Sequence, residues 1–148
     1  GEFACYGEEE QGVFAAELED CSFKTCSSAG DGGGVMIRSA QISAEISNVK
    51  FMSCSSNASG GGMSIAGGTT AVVVDAIFDG NTAAEFGGGL HTIEESFITL
   101  SHSNFTRNMA VGMGGGGIYV EDCYVTIPGP VLCANNSALA GGGGGFFW

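Results

Sequence analysis

The sequence predicts an all-β protein, a right-handed parallel β-helix, because three features recur together along its 148 residues. An apolar anchor returns at intervals of 28, 27, 27 and 27 residues, Cys or Asn follows each anchor three positions later, and glycines occur nine positions later. The five sets are Phe23/Cys26/Gly32, Phe51/Cys54/Gly60, Phe78/Asn81/Gly87, Phe105/Asn108/Gly114 and Leu132/Asn135/Gly141. Repeats of this length bury their apolar face only against the next repeat. Residues 1–148 are therefore expected to form one solenoid domain of about five coils, each of ~27 residues.

One strand of each coil lies before its anchor. The residues five and seven positions before the anchor are apolar in every repeat, and such alternation is typical of a strand with one buried face. These positions are Leu18, Ile46, Val73, Leu100 and Ile127, together with Ala16, Ala44, Ala71, Ile98 and Val125. A second strand surrounds the anchor, and a third follows the glycine run, as in Val35-Met36-Ile37. Three strands per coil, stacked about 4.8 Å apart, predict three parallel sheets, and crossovers between parallel strands are right-handed in nearly all cases.

The residues three positions after the anchors are expected to form a ladder along the solenoid. Stacked Asn81, Asn108 and Asn135 side chains would donate hydrogen bonds to one another and to backbone groups where a strand bends. Cys26 and Cys54 take this position in the first two coils. The glycine runs fit turns that need positive φ, or places where neighbouring coils leave no room for a side chain.

Composition excludes several classes of function. The chain has 16 acidic and 4 basic residues and a net charge of -12, so it repels phosphate backbones and a nucleic-acid partner is excluded. The 27 glycines recur in phase and follow no Gly-X-Y pattern, which excludes collagen. No apolar stretch approaches the roughly 20 residues of a membrane-spanning helix. Any secretion signal has been removed or lies outside this sequence.

Two of the repeats resemble a known pattern. Phe78-Asp79-Gly80-Asn81 with Gly87-Gly88-Gly89-Leu90, and Phe105-Thr106-Arg107-Asn108 with its four glycines and Ile118, are similar to the F-x-x-N and G-G-A-[ILV] motifs of polymorphic outer-membrane protein repeats. The resemblance extends over nearly the whole chain from Phe14 onward. It implies a relation to the passenger domains of bacterial autotransporter adhesins and to similar extracellular proteins of algae and other protists. Cys26 and Cys54 in place of Asn, the missing Ala after the glycines, and the total of six cysteines favour a secreted relative of the eukaryotic type.

The six cysteines suggest local disulfides, because the coil register narrows their pairings. Cys26 and Cys54 would stack one coil apart, at a Cα separation of about 4.8 Å that suits a disulfide. The other candidate pairs are Cys5 with Cys21 and Cys123 with Cys133. Buried free thiols are the alternative.

Three N-glycosylation sequons begin at Asn57, Asn104 and Asn135. Asn135 is assigned to the inward ladder, so Asn57 and Asn104 are the glycosylation sites to expect in a secreted protein.

No set of residues predicts a catalytic site, a cofactor or a metal site. β-Helix enzymes that act on acidic polysaccharides need acidic calcium ligands with a basic residue, or carboxylates that converge on one groove. The basic and aspartic residues fall at unrelated coil positions. His91 and His102 occur in one coil, with Glu94 or Glu95 as a candidate partner, but both histidines are expected to be exposed.

The sequence favours a non-enzymatic, extracellular or cell-surface β-helix with a structural or adhesive role. Solenoids need polar caps against edge-to-edge association, yet this sequence finishes on Phe146-Phe147-Trp148. We therefore expect a segment of a longer solenoid or a subunit of an assembly, with further coils, protein subunits or other copies at its open ends, and with glycans as further partners. The alternative is a polysaccharide-active or carbohydrate-binding β-helix, which a lateral groove lined by carboxylates and aromatic residues would favour. Ice binding ranks last, because the outward positions are mixed.

Overall fold

The computed structural model describes residues 2–7, 14–112 and 114–147, and for 2–7 and 146–147 it describes the backbone alone. Within these ranges the chain is all-β, and its strands form four sheets.

The first sheet contains β1 (Glu2–Gly7), β2 (Phe14–Glu19), β6 (Ile42–Ser47), β10 (Thr70–Val74), β14 (Phe97–Ser101) and β18 (Tyr124–Thr126). The second contains β3 (Ser22–Lys24), β7 (Lys50–Met52), β11 (Ile77–Asp79), β15 (Ser103–Thr106) and β19 (Val131–Ala134). The third contains β4 (Ser27–Ser28), β8 (Ser55–Ser56), β12 (Thr82–Ala83), β16 (Met109–Ala110) and β20 (Ser137–Ala138). The fourth contains β5 (Val35–Arg38), β9 (Met63–Ala66), β13 (Leu90–Thr92), β17 (Ile118–Val120) and β21 (Gly145–Phe147).

Equivalent strands of successive coils pair in parallel, which confirms the predicted β-solenoid of about five coils. The strand β1 differs, because it pairs antiparallel with β2. The prediction of three sheets is wrong, because the chain bends directly after each anchor strand and so divides the anchor region between the second and third sheets. The bend is a residue with positive φ, namely Thr25, Ser53, Gly80, Arg107 or Asn135. We call this residue and the one after it the ladder turn.

The fifth coil is shifted by one residue from the predicted register. Cys133 pairs with Phe105 and is the anchor, whereas Leu132 pairs with the outward residue Asn104 and is 54% exposed. The ladder residue is consequently Asn136, and the predicted Asn135 is exposed in the bend before it. The cause lies in the loop 127–130, since Val125 still pairs with Ile98 as predicted. This loop contains both prolines of the chain, which cannot donate to a strand ladder.

The interior is filled by columns of apolar side chains. Phe23, Phe51, Phe78 and Phe105 form one stack, with ring centroids 5.2, 4.8 and 4.5 Å apart. The last three rings are fully buried, so burial and ring stacking both stabilise the stack. The inward columns of the first sheet pack beside it, except that Ile127 lies in the shifted loop and is exposed.

Glycine is required in the runs because the backbone of the next coil lies against them. A Cβ atom on Gly88 would lie 2.4 Å from the carbonyl oxygen of Gly116 and 2.5 Å from that of Met109. A Cβ atom on Gly89 would lie 3.0 Å from the ring of Phe105. The regular spacing of the glycine runs in the sequence therefore marks the places where the backbones of successive coils are in contact.

The ladder satisfies the backbone at each bend. The side-chain amides of Asn81, Asn108 and Asn136 donate to the carbonyl oxygens of the anchors one coil earlier, Phe51, Phe78 and Phe105, at 2.9, 2.9 and 2.8 Å. The amide oxygen of Asn108 also accepts from the backbone N–H and the side-chain amide of Asn81, at 3.0 and 2.9 Å. Each buried amide thus joins two neighbouring coils.

Cysteine replaces asparagine in the ladder without losing the central hydrogen bond. The thiol of Cys54 donates to the carbonyl oxygen of Phe23 at 3.4 Å, as the amide of Asn81 does to Phe51. Cys26 and Cys54 are adjacent thiols in the structure and not the predicted disulfide. Cys123 and Cys133 are also thiols. The third predicted pair includes the side chain of Cys5, which lies outside the described residues.

Candidate functional site

An open groove of about 1070 Å³ runs along one corner of the solenoid, where the chain passes from the fourth sheet to the first. We call the segments that make this passage the groove turns; they span residues 39–41, 67–69, 93–96 and 121–123. The groove residues are the small Ala40, Gly67 and Gly68, the acidic Glu94, Glu95 and Asp122, the aromatic Phe97 and Tyr124, and Cys123. Four successive coils therefore contribute to one surface.

The groove turns are held by side-chain hydroxyl groups. Thr69 donates from Oγ1 to the carbonyl oxygen of Ala66 at 2.6 Å, and Ser96 donates from Oγ to that of Ile93 at 2.9 Å. Ser96 closes its turn locally, whereas Thr69 closes its own turn and also accepts from the backbone N–H of Ser39 in the first coil at 3.1 Å.

Small residues in the second coil open the floor of the groove. Gly67 and Gly68 both have φ of 72°. A Cβ atom on Gly67 would lie 3.0 Å from Cγ of Arg38, so the missing side chain leaves a path for Arg38 across the second coil. Through this path the Arg38 guanidinium reaches Glu94, two coils away, and forms an ion pair of 2.5 Å.

The acidic residues of the groove have a left-handed backbone conformation. Glu94, Glu95 and Asp122 have φ of 63°, 54° and 48°, in the left-handed region that Gly67 and Gly68 occupy in the second coil. A left-handed conformation costs of order 1 kcal/mol for a residue with a side chain. Among the described residues Glu94 pairs with Arg38, whereas Glu95 and Asp122 have no ion-pair partner. The groove therefore holds two uncompensated negative charges.

The aromatic side of the groove is a pair of stacked rings. Phe97 and Tyr124 occupy the same outward position of β14 and β18, and their ring centroids are 4.9 Å apart at an interplanar angle of 9°. The side chains at this position in the two preceding coils are Thr70 and Ser43. Phe97 is 49% exposed and Tyr124 67% exposed, so the rings form a step above the small residues of the earlier coils.

The thiol at the base of the groove is a weak nucleophile. Cys123 is partly buried, and burial raises the pKa of its thiol above the usual value. The thiolate is the reactive form, so at neutral pH this cysteine remains protonated and unreactive.

The two predicted histidines lie apart from the groove and in different environments. His102 is exposed, as expected, but His91 is only 5% exposed, and the expectation for it is wrong. The ring of Phe86 covers it at a centroid distance of 6.4 Å, and Tyr119 follows at 5.8 Å. Nδ1 of His91 shares a hydrogen bond of 3.0 Å with Oγ of Ser64, and burial lowers the pKa of the imidazole. The aromatic cover was not recognisable from the strand alternation, because Phe86 comes from the preceding loop.

The described residues contain no group of three or more His, Cys, Asp or Glu side chains that could hold a metal ion. They also contain no helix long and apolar enough to cross a membrane. The sequon residues Asn57 and Asn104 are exposed, and so is Asn135, which the shifted register removes from the ladder.

Comparison with known proteins concerns the third coil. Residues 75–93 match the Chlamydia polymorphic membrane protein repeat. This segment of 19 residues is similar to that repeat. Together with the parallel solenoid this fits a β-helix repeat family of that kind, and it indicates a surface-associated, outer-membrane-type protein. No curated protein and no solved structure gives a significant match.

The polymorphic membrane protein repeat ends where the groove begins. The matched segment contains the anchor Phe78, the ladder residue Asn81 and the glycines 87–89, and it stops one residue before Glu94. The match therefore ends at the first residue of the groove turn 93–96, and the rest of that turn and the strand β14 lie outside it.

Sequence reasoning did not identify the groove residues as a group. One signal was available: Phe97 and Tyr124 are 27 residues apart, one repeat interval, at an outward strand position. The convergence of Glu95 and Asp122 on the same surface depends on turn length, which the repeat does not specify.

Proposed function

We propose that the chain is a non-enzymatic, surface-associated solenoid that adheres to carbohydrate through its lateral groove. The observation that carries the proposal is the exposed stack of Phe97 and Tyr124 beside the free carboxylates of Glu95 and Asp122. This is the lateral groove of carboxylates and aromatic rings that favours a carbohydrate-binding β-helix.

Aromatic rings and carboxylates together match the chemistry of a sugar. The face of an aromatic ring is electrostatically negative, so it attracts the polarised C–H groups of a pyranose face. Carboxylate oxygens accept hydrogen bonds from sugar hydroxyl groups. The groove is open, so a chain of sugars can pass through it without an end having to enter.

The surroundings of the groove support binding over catalysis. Arg38 pairs with Glu94, so its guanidinium is not available as the base of a lyase reaction. The thiol of Cys123 is protonated because burial raises its pKa. The packed solenoid beneath the groove supplies a rigid support, which reduces the ordering cost of binding.

Binding of the purified chain to a panel of immobilised oligosaccharides tests the proposal. The panel contains neutral glucose and N-acetylglucosamine oligomers, glucosamine oligomers and galacturonate oligomers. We expect binding to at least one of them, and a loss of tenfold or more in affinity for the variant Phe97→Thr/Tyr124→Thr. Phe14→Thr is the matched control, because Phe14 is 48% exposed on the first sheet but lies outside the groove.

Three outcomes would contradict the proposal. The chain binds no member of the panel at millimolar concentration, or the Phe14 control loses as much affinity as the groove variant. Release of new reducing ends or unsaturated sugars from a bound oligomer would refute the non-enzymatic part.

A further inference from the structure

The charge of the groove restricts the carbohydrate that it can accept. Glu95 and Asp122 have no cationic partner in the described part of the chain, and the whole chain has a net charge of -12. A ligand with its own carboxylates or sulfates would add like charges to this surface, which is unfavourable at contact distance. Galacturonate and other acidic polymers are therefore disfavoured.

The two free carboxylates lie close to the aromatic pair in the chain. Glu95 precedes Phe97 by two residues, and Asp122 precedes Tyr124 by two. The backbone N–H of Glu95 donates to the carbonyl oxygen of Asp122 at 2.8 Å, which stacks the two groove turns in register. The third and fourth coils thus each present one free carboxylate and one ring, stacked along the solenoid axis.

We infer that the groove binds a glycan with free amino groups, of the glucosamine type. An ammonium group on the sugar would pair with Glu95 or Asp122, while the pyranose ring packs on Phe97 and Tyr124. A cation next to an aromatic face gains further attraction from the ring quadrupole. The inference rests on the proposed function and names the ligand class of the same site.

The left-handed backbone of the two acidic residues agrees with this assignment. Gly68, which lies in the groove turn of the second coil, has the same sign of φ without the strain of a side chain. The side chains at Glu95 and Asp122 therefore carry a local conformational cost that glycine would avoid. Their contribution is the negative charge that they place beside the rings.

A comparison of glucosamine and N-acetylglucosamine hexamers tests the inference, because the two differ by acetylation of the amino group. We expect the glucosamine hexamer to bind the chain at least tenfold more tightly at 50 mM salt, and the difference to shrink as salt is added. The variant Glu95→Gln/Asp122→Asn should lose this preference and still bind the N-acetylated hexamer.

The control for general electrostatics is Glu17→Gln/Glu45→Gln. These two carboxylates lie opposite each other on β2 and β6, outside the groove, and their removal changes the net charge by the same amount. It should leave the preference for glucosamine within about twofold of the unmodified chain.

The outcomes separate the inference from the proposed function. Equal affinity for the two hexamers, with loss of both in Phe97→Thr/Tyr124→Thr, would overturn the amino-sugar assignment and leave carbohydrate binding intact. Tight binding of a lysine oligomer that the groove variants abolish equally would also overturn it, since the site would then accept a basic peptide. Failure to bind either hexamer or any other sugar would overturn both the amino-sugar assignment and the proposed function.

Discussion

The ladder turn and the groove turn belong to the same coils but follow opposite rules. The ladder residue always comes three positions after the anchor, from Phe23 and Cys26 to Cys133 and Asn136. The groove turn instead shortens along the chain. We count positions from the first residue of each strand in the fourth sheet to the residue at the position of Phe97 in the first sheet, and the four counts are eight, seven, seven and six. These intervals are Val35 to Ser43, Met63 to Thr70, Leu90 to Phe97 and Ile118 to Tyr124.

Burial of the side chain explains the difference. Cys54, Asn81 and Asn108 are buried and each bonds to the coil on either side, so an insertion there would break two sets of hydrogen bonds. The groove turns also bond to neighbouring coils through backbone, but Glu94, Glu95 and Asp122 are exposed, so these side chains can vary from coil to coil. The constant turn maintains the solenoid, and the variable turn carries the surface proposed for binding.

The largest test of this contrast is a methyl group added where coils touch. Gly88→Ala is expected to cost more than about 4 kcal/mol or to prevent folding, because the new Cβ atom would overlap backbone oxygens at 2.4 and 2.5 Å. Chemical denaturation followed by circular dichroism measures the effect. Gly30→Ala is the control, because no atom lies within 4 Å of its added Cβ. Similar free energies of unfolding for the two variants would show that the glycine runs do not report backbone contact.

The second test concerns two adjacent asparagines. Asn136→Ala should reduce the free energy of unfolding by about 2–3 kcal/mol, because the carbonyl oxygen of Phe105 and the amide of Asn108 lose their partner. Asn135→Gly should change it by less than about 0.5 kcal/mol, since φ is 55° there and Gly80 takes the equivalent place in the third coil. Thermal and urea unfolding of both variants decides the register of the fifth coil. The reverse order of effects would restore Asn135 to the ladder.

The register error shows what the repeat could and could not predict. The repeat predicted the solenoid, its phase through four coils and the inward columns, because buried contacts between coils impose one spacing. It failed at Leu132, where the loop 127–130 carries an extra residue and an apolar residue happened to occupy the expected position. It also missed the fourth sheet, because a single left-handed residue such as Arg107 has no strong sequence signature. The repeat could not predict the groove, because the length of the groove turns differs from coil to coil.

The third test uses pH to probe the buried histidine. Burial lowers the pKa of His91 below its ordinary value of 6.5, although the carboxylates of Asp31, Glu121 and Glu94 oppose this. The unfolded state then binds the proton more readily than the folded state, so stability is complete above about pH 6.5 and falls as the pH is lowered through that value. The slope is at most about 1.4 kcal/mol per pH unit for one proton.

Urea unfolding between pH 5 and 8 measures this slope for the chain and for two variants. His91→Gln should flatten the dependence around pH 6, because the amide can still bond to Ser64 but does not titrate. His102→Gln should leave it unchanged, since His102 is exposed. An unchanged slope in His91→Gln would mean that the ring is as hydrated in the folded state as in the unfolded chain.

The smallest effect on stability is expected at the groove itself. Phe97→Thr introduces the residue that the preceding coil has at Thr70, and it should cost no more than about 2 kcal/mol, because the ring is already half exposed and the change removes its remaining burial and one stacked pair. Phe105→Thr is the matched variant inside the solenoid, where the ring is fully buried and stacks at 4.5 Å, and it should cost at least about 3 kcal/mol. Carbohydrate affinity should follow the opposite order, with a large loss for Phe97→Thr and little change for any folded Phe105→Thr protein. If Phe97→Thr instead destabilised the chain as much as Phe105→Thr, the exposed rings would be part of the packing, and the distinction between a constant, buried side and a variable, ligand-facing side would fail.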